Sequence, residues 1–208
     1  KLKNQTSNSL SPPSLEDNKD SESSSNLKNK IISKENALLI SPRVAIKSNK
    51  LSGSINLQGA FFDDLTLLNY TRTLNELSDK IYLLSPKKTI NPYYATFGWV
   101  SRDKKIVLPN DKSIWSSDKK YLTPDQPITL TWNNGNGLIF RKHIEIDKNY
   151  MFRVTHTIIN QTNKNINLMP YGYVLRDGAP ETQGFFILHE GAIGVFDGRL
   201  KQPKYKHI

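Results

Sequence analysis

From Leu51 onward the apolar residues of this chain recur with a period of two. In Leu51-Ser52-Gly53-Ser54-Ile55-Asn56-Leu57 they occupy alternate positions, which places them on one face of an extended strand. The alternation breaks at the acidic pair in Phe62-Asp63-Asp64-Leu65-Thr66-Leu67 and then resumes, the signature of a bulge or tight turn. Ile81 to Leu84 and Tyr93 to Val100 read as further strands, the second with Tyr93, Ala95, Phe97 and Trp99 on one face. The strongest local signal is a hairpin: Ile128, Leu130 and Trp132 alternate up to Asn133-Asn134-Gly135-Asn136-Gly137, and Leu138, Phe140, Ile144 and Ile146 continue the face. Tyr150, Phe152, Val154, His156 and Ile158 share the face of the next strand. A polar turn over Asn160 to Asn165 then predicts another hairpin, into Ile166 to Leu175. Pro170 makes that last run an edge strand or a bulged one. Phe185 to Leu188 and Ile193 to Phe196 complete the predicted strands, and only Tyr70 to Lys80 leaves room for a helical turn.

Short strands at this spacing, separated by polar loops, predict an all-β antiparallel sandwich. The segment before them is different. Lys1 to about Lys30 is Ser, Asn, Lys, Asp and Glu with Pro12-Pro13, too poor in apolar residues to offset its ordering entropy, so a disordered linker is expected over 1–36 and the domain over 37–208. Ala37-Leu38-Leu39-Ile40 is the first apolar cluster, and Pro42 argues against a helix running through it.

Charge and composition narrow the chemistry. Lys and Arg number 29 against 19 Asp and Glu, a formal net charge of +10. The cations are mostly Lys in scattered pairs such as Lys87-Lys88, Lys104-Lys105 and Lys119-Lys120, which disfavours nucleic-acid recognition and favours a solvated basic surface. The absence of Cys removes disulfides and thiol chemistry. No apolar run is long enough to span a bilayer and no signal peptide is visible; starting at Lys1, the chain reads as an excised or processed piece.

Candidate site residues are few. His143 reads as a solvated cross-strand neighbour, His156 as a core histidine, and His189 precedes Glu190-Gly191; His143 with His189 is the one combination that suits sugar epimerase or mutarotase chemistry. Asp63 and Asp64, adjacent on a strand, are expected to point to opposite faces and so not to share a metal. Trp99 and Trp132 are in register with apolar neighbours and are expected in the core. Trp115, after Lys112-Ser113-Ile114, is the expected exposed aromatic contact, for instance for a sugar ring. No catalytic, cofactor-binding or metal-binding residue is assigned on these grounds.

Specific strings then carry a resemblance. Ser41-Pro42-Arg43-Val44, Leu51 to Ala60, Asp63-Asp64-Leu65, Asn91 to Val100, Asp147 to Val154, Tyr171-Gly172-Tyr173 and Gly184 to Gly191 together resemble, in order, the large periplasmic domain of YidC-type membrane protein insertases, in their alphaproteobacterial branch. The resemblance implies a β-supersandwich similar to the galactose mutarotase fold, tethered to the inner membrane through a preceding transmembrane helix and facing the periplasm. It implies no enzyme activity and no cofactor. Its partners would be nascent inner-membrane proteins and Sec translocon components. The alternative is a galactose-mutarotase-like carbohydrate binder or epimerase. The final strands and the insertase core are expected beyond Ile208, so no insertase residue is carried onto this chain, and Phe185 to Leu188 are expected at an uncovered, self-associating edge.

Overall fold

The computed structural model describes residues 31–178 and 189–205. They fall into two compact units, one running through Leu175 and the other starting at Arg176. The first holds helix α1 (Lys34–Leu38) and strands β1 (Arg43–Lys47), β2 (Leu51–Asn56), β3 (Phe61–Thr71), β4 (Lys80–Leu84), β5 (Tyr93–Val100), β6 (Ser116–Ser117), β7 (Tyr121–Leu122), β8 (Ile128–Asn133), β9 (Leu138–Ile146) and β10 (Phe152–Asn160), closing on β11 (Met169–Arg176). They form two sheets. The larger has the order β11-β5-β3-β2-β1-β7, with β4 also paired to β3; the smaller has the order β10-β9-β8-β6. The fold is all-β, as the period-two pattern requires, and β1 with β7 is a parallel exception to otherwise antiparallel registers.

The core lies between the sheets. Val44, Ile46, Leu51, Ile55, Phe62 and Leu65 come from the larger sheet and meet Ile128, Leu130, Phe140, Ile144 and Ile146 from the smaller. Each such side chain contributes about 1.5–3 kcal/mol on burial, which is why the alternating faces fix the register of both sheets. The β8–β9 turn has the predicted chemistry: Gly135 and Gly137 adopt positive φ, and the Asn134 carboxamide oxygen accepts from the amides of Asn136 and Leu138.

Two local expectations need correction. β10 and β11 do not form a hairpin, because they belong to different sheets. The polar turn is there, closed by Asn160 Nδ2 donating to Lys164 O at 2.8 Å, but Ile166 and Leu168 pack on the core and draw the chain from one sheet to the other. Pro170 sits in β11, which among the described residues is an edge strand of the larger sheet, as expected. Tyr70 to Lys80 forms no helix beyond a single turn in which Asn75 O accepts from Ser78 N at 3.0 Å; Thr73 Oγ1 accepts from Asn75 N and Asn75 Oδ1 from Leu77 N, local bonds that compete with helix formation.

The second concerns the first apolar cluster, of which only Ala37 is buried while Leu39 and Ile40 are exposed. The ordered chain starts earlier. Ser33 caps α1 by accepting from Asn36 N, and Ile32 N donates to Lys88 O at 2.9 Å, so α1 and the 86–91 loop together cover the outer face of the larger sheet. Tyr94 and Thr96, on the face of β5 opposite the core, are buried, and Lys87 of that loop lies 5.1 Å from the Tyr94 ring centre.

At the β5–β11 edge, two glycines make room for aromatic rings from the neighbouring strand. A Cβ on Gly98 would lie 2.7 Å from Tyr171 Cζ, and one on Gly172 2.8 Å from Phe97 Cδ1. Gly98→Ala is expected to cost about 1–2 kcal/mol in chemical denaturation, through displacement of the Tyr171 ring.

The second unit contains an antiparallel hairpin of β12 (Gly194–Phe196) and β13 (Arg199–Lys201), with Asp197 and Gly198 at positive φ in its turn. β12 coincides with the predicted Ile193 to Phe196 strand. The Phe185 to Leu188 strand and the 1–30 part of the linker lie outside the described residues.

Candidate functional site

The most perturbed group of the protein is in the core itself. β9 alternates burial along its whole length, and Lys142 falls in phase with Leu138, Phe140, Ile144 and Ile146, so its side chain enters the sandwich with 1 % of its surface exposed. Its Nζ donates to Phe97 O at 2.6 Å and lies 4.7 Å from the Trp115 ring centroid and 5.9 Å from that of Trp99. Burial pulls the ammonium pKa down to about 7, since a single carbonyl and two ring faces replace its hydration shell. Across the ladder, His156 on β10 is its direct partner. That ring packs 4.5 Å from the Trp99 ring, and burial first and the Lys142 charge second lower its pKa to about 4. His156 Nδ1 and Trp115 Nε1 are both buried without a hydrogen-bond partner. His156 is therefore a core histidine, as expected, but an incompletely satisfied one.

An amine that titrates near neutrality can act as a base or nucleophile where substrate reaches it. Lys142 has no such access, and its neighbours are a carbonyl, an imidazole and indoles, with no carboxylate to form an acid–base pair. The group is a buried polar centre of the sandwich. Sequence reading passed over it because a lysine in an apolar run looks like an interruption, although its phase pointed inward.

Trp115 is the main correction. It is 2 % exposed and belongs to the core, because Trp115 N donates to Leu57 O at 2.8 Å and Gln58 bridges Ile114, which aims the indole inward and Ile114 outward. Its ring stacks on Trp99 at 6.4 Å and lies 6.5 Å from Trp132. Trp99 is buried and Trp132 packs on the core, as predicted. The sugar-stacking platform is lost. His143 points away from the core, and its Nδ1 meets Thr129 Oγ1 of the facing strand at 3.1 Å. His189 belongs to the second unit.

A second charged cluster lies under α1. The bulge predicted at the acidic pair is present: Ser54 faces Asp64, Ile55 faces Phe62, and Asp63 is the extra residue. That extra residue undoes the strand parity, so both carboxylates lie on the outer face instead of on opposite ones. Asp63 pairs with Arg43 and accepts from Asn56 Nδ2 at 3.5 Å; Asp64 accepts from Ser54 Oγ at 2.7 Å and pairs with Lys34 Nζ at 2.8 Å. Burial raises the Asp63 pKa, and the Arg43 bond only partly offsets this. Lys87 crosses Phe61 with its Nζ 4.0 Å from the ring centre, its own pKa lowered by burial. Every carboxylate oxygen here is directed at a protein cation, amide or hydroxyl. Among the described residues no group of three or more His, Cys, Asp or Glu is placed to hold a metal.

Fold and interior thus define a class: an all-β, two-sheet sandwich domain whose charged clusters brace its own packing. The profile of the YidC periplasmic domain matches residues 43–208. The chain is 46% identical over 167 residues to the membrane protein insertase YidC of Methylorubrum extorquens, covering 80% of this chain and 27% of that protein. It is 46% identical over 175 residues to that of Methylobacterium nodulans, covering 84% and 29%, and 42% identical over 167 residues to that of Rickettsia bellii, covering 80% and 30%. The chain belongs to the YidC periplasmic domain family, as the ordered strings indicated. It spans less than a third of the length of these relatives.

Proposed function

We propose that this chain serves as the periplasmic part of an inner-membrane protein insertase, assisting insertion and folding of nascent membrane proteins alone or beside the Sec translocon. The carrying observation is the match over 43–208 to relatives named membrane protein insertase. Its contribution is binding and bracing, not chemistry: among the described residues the amine drawn to near neutrality is sealed in the core, and the Asp63 and Asp64 carboxylates are engaged by Arg43, Asn56, Ser54 and Lys34. Among the described residues no helix is long and apolar enough to cross a membrane, so on this reading the membrane-spanning work falls to other parts of the full-length protein.

The test is made in the full-length protein, expressed in cells depleted of their own insertase. Photo-crosslinkers on exposed strands of this domain should capture a nascent inner-membrane protein or a Sec component, and insertion should be restored. Restored insertion without any such crosslink would remove the binding role.

The same reading treats the N-terminal segment as a linker, and the bonds of Ile32 and Ser33 support an end for it near Ile31. Limited proteolysis should leave a core beginning at about Ile31, not at Ile40, because cleavage inside α1 would break the Lys34–Asp64 pair. N-terminal sequencing of the resistant fragment checks this.

A further inference from the structure

Three turns meet at one end of the sandwich: the β1–β2 turn with Lys50, the β3–β4 loop over residues 72–79, and the β9–β10 turn with Lys148, Tyr150 and Met151. Contacts tie them together. Lys50 Nζ donates to Asn149 Oδ1 at 2.9 Å and lies 5.1 Å from the Tyr150 ring centre, and the Tyr70 and Tyr150 rings are 6.4 Å apart. The β3–β4 loop carries Leu74 and Leu77, 105% and 94% exposed, and Met151, on the β9–β10 turn, is 69% exposed.

Isolated exposed leucines are common, but two on one loop tip, backed by paired tyrosines, form a graded surface. The leucines are fully exposed, the two tyrosine rings are paired at the base of the loop, and Lys50, Arg72, Lys80 and Lys148 lie in or next to the same three turns along the chain. Glu76, Asp79 and Asp147 share this end, and Asp147 is engaged in its turn by the amides of Asn149 and Met151. The groove that Met151 lines with Pro124, Pro127, Ile146 and Phe152 does not include Leu74 or Leu77. A bilayer has the matching gradient: acyl chains for the leucines, the headgroup layer for tyrosine, and phosphates for lysine and arginine.

We propose that this loop end docks on the surface of a phospholipid bilayer, with Leu74 and Leu77 entering the acyl boundary. The proposal rests on the domain being held beside a membrane, as the function above has it. Contact is weak and reversible, and the tether supplies the local concentration.

The chain contains no cysteine, so single labels are unambiguous. An environment-sensitive fluorophore on Leu74→Cys, on Leu77→Cys, and on Asn136→Cys in the β8–β9 turn is titrated with phosphatidylcholine vesicles, with and without phosphatidylglycerol. Blue-shifted, stronger emission is expected at 74 and 77 and not at 136, with tighter binding to the anionic vesicles. Leu74→Asp/Leu77→Asp, at sites too exposed to affect folding, should lower the fraction bound in flotation by roughly tenfold. Absence of binding, equal response at 136, or binding indifferent to the double substitution each overturns the proposal. Normal insertion by a full-length protein whose domain ignores vesicles would sink this proposal alone; leucine-dependent docking in a protein that inserts nothing would sink the function instead.

Discussion

Arg43→Leu will destabilise the sandwich by about 3–5 kcal/mol at neutral pH, the scale of removing one partner from a buried ion pair. Among the described residues Arg43 is the only cation bonded to Asp63, and it also donates through Nε to Ser54 Oγ at 2.7 Å, so the substitution frees two groups at once. Arg43→Leu/Asp63→Leu should recover most of the loss. The Asp63 pKa is already raised by burial in spite of Arg43, which means that the charged pair is poorly compensated and that its joint removal forfeits little. The sign with pH follows. A carboxyl whose folded pKa is raised takes up its proton more readily folded than unfolded, so the Arg43→Leu penalty shrinks as pH falls toward the Asp63 pKa. Urea denaturation of the three proteins decides the matter, and a single-substitution cost below about 1 kcal/mol would mean that water reaches the pair.

Lys142→Met will act in the opposite direction, stabilising the domain by about 1–4 kcal/mol at pH 7, because a flexible apolar chain of similar length replaces a poorly solvated amine. The folded-state pKa near 7 lies below the ordinary lysine value of 10.5. Between these values the unfolded chain binds the proton and the folded chain does not, so wild-type stability falls as pH is lowered from about 10.5 to 7 and is unaffected by this group below that. The gain from Lys142→Met should therefore be smaller at about pH 9 than at pH 7. His156, lowered from 6.5 to about 4, adds a second decline across that lower window. A substitution that destabilises at pH 7 would show that Lys142 has more solvation than Phe97 O and the indoles provide.

Most strands were legible because each buries one face, and a period of two survives any uncertainty about loops. The misreadings share a cause: contacts from remote segments. Trp115 looked exposed beside Lys112 and Ser113, yet a bond to Leu57, far away in sequence, turns it inward. The β10–β11 hairpin failed because local turn chemistry is indifferent to which sheet the next strand joins. Asp63 and Asp64 share a face because of a bulge that the sequence marked, whose effect on parity was not carried through. Tyr94 is buried against Phe61 and Lys87, a cover invisible in the pattern of β5 itself. The family, by contrast, was readable from ordered strings, because side chains at turns and bulges vary less freely than a binary pattern does.

The residues around Trp115 have a further consequence. Gln58 bridges Ile114 and Leu57 holds Trp115 on the side of the larger sheet, while Ser116 and Ser117 pair with Thr131 and Leu130 of the smaller. Residues 114–117 are thus laced to both sheets within a few ångströms, and neither sheet can peel away without breaking bonds held by the other. Hydrogen exchange at the Trp115 amide then proceeds through opening of the whole first unit and not through fraying of one layer, so the two sheets melt as a single cooperative block.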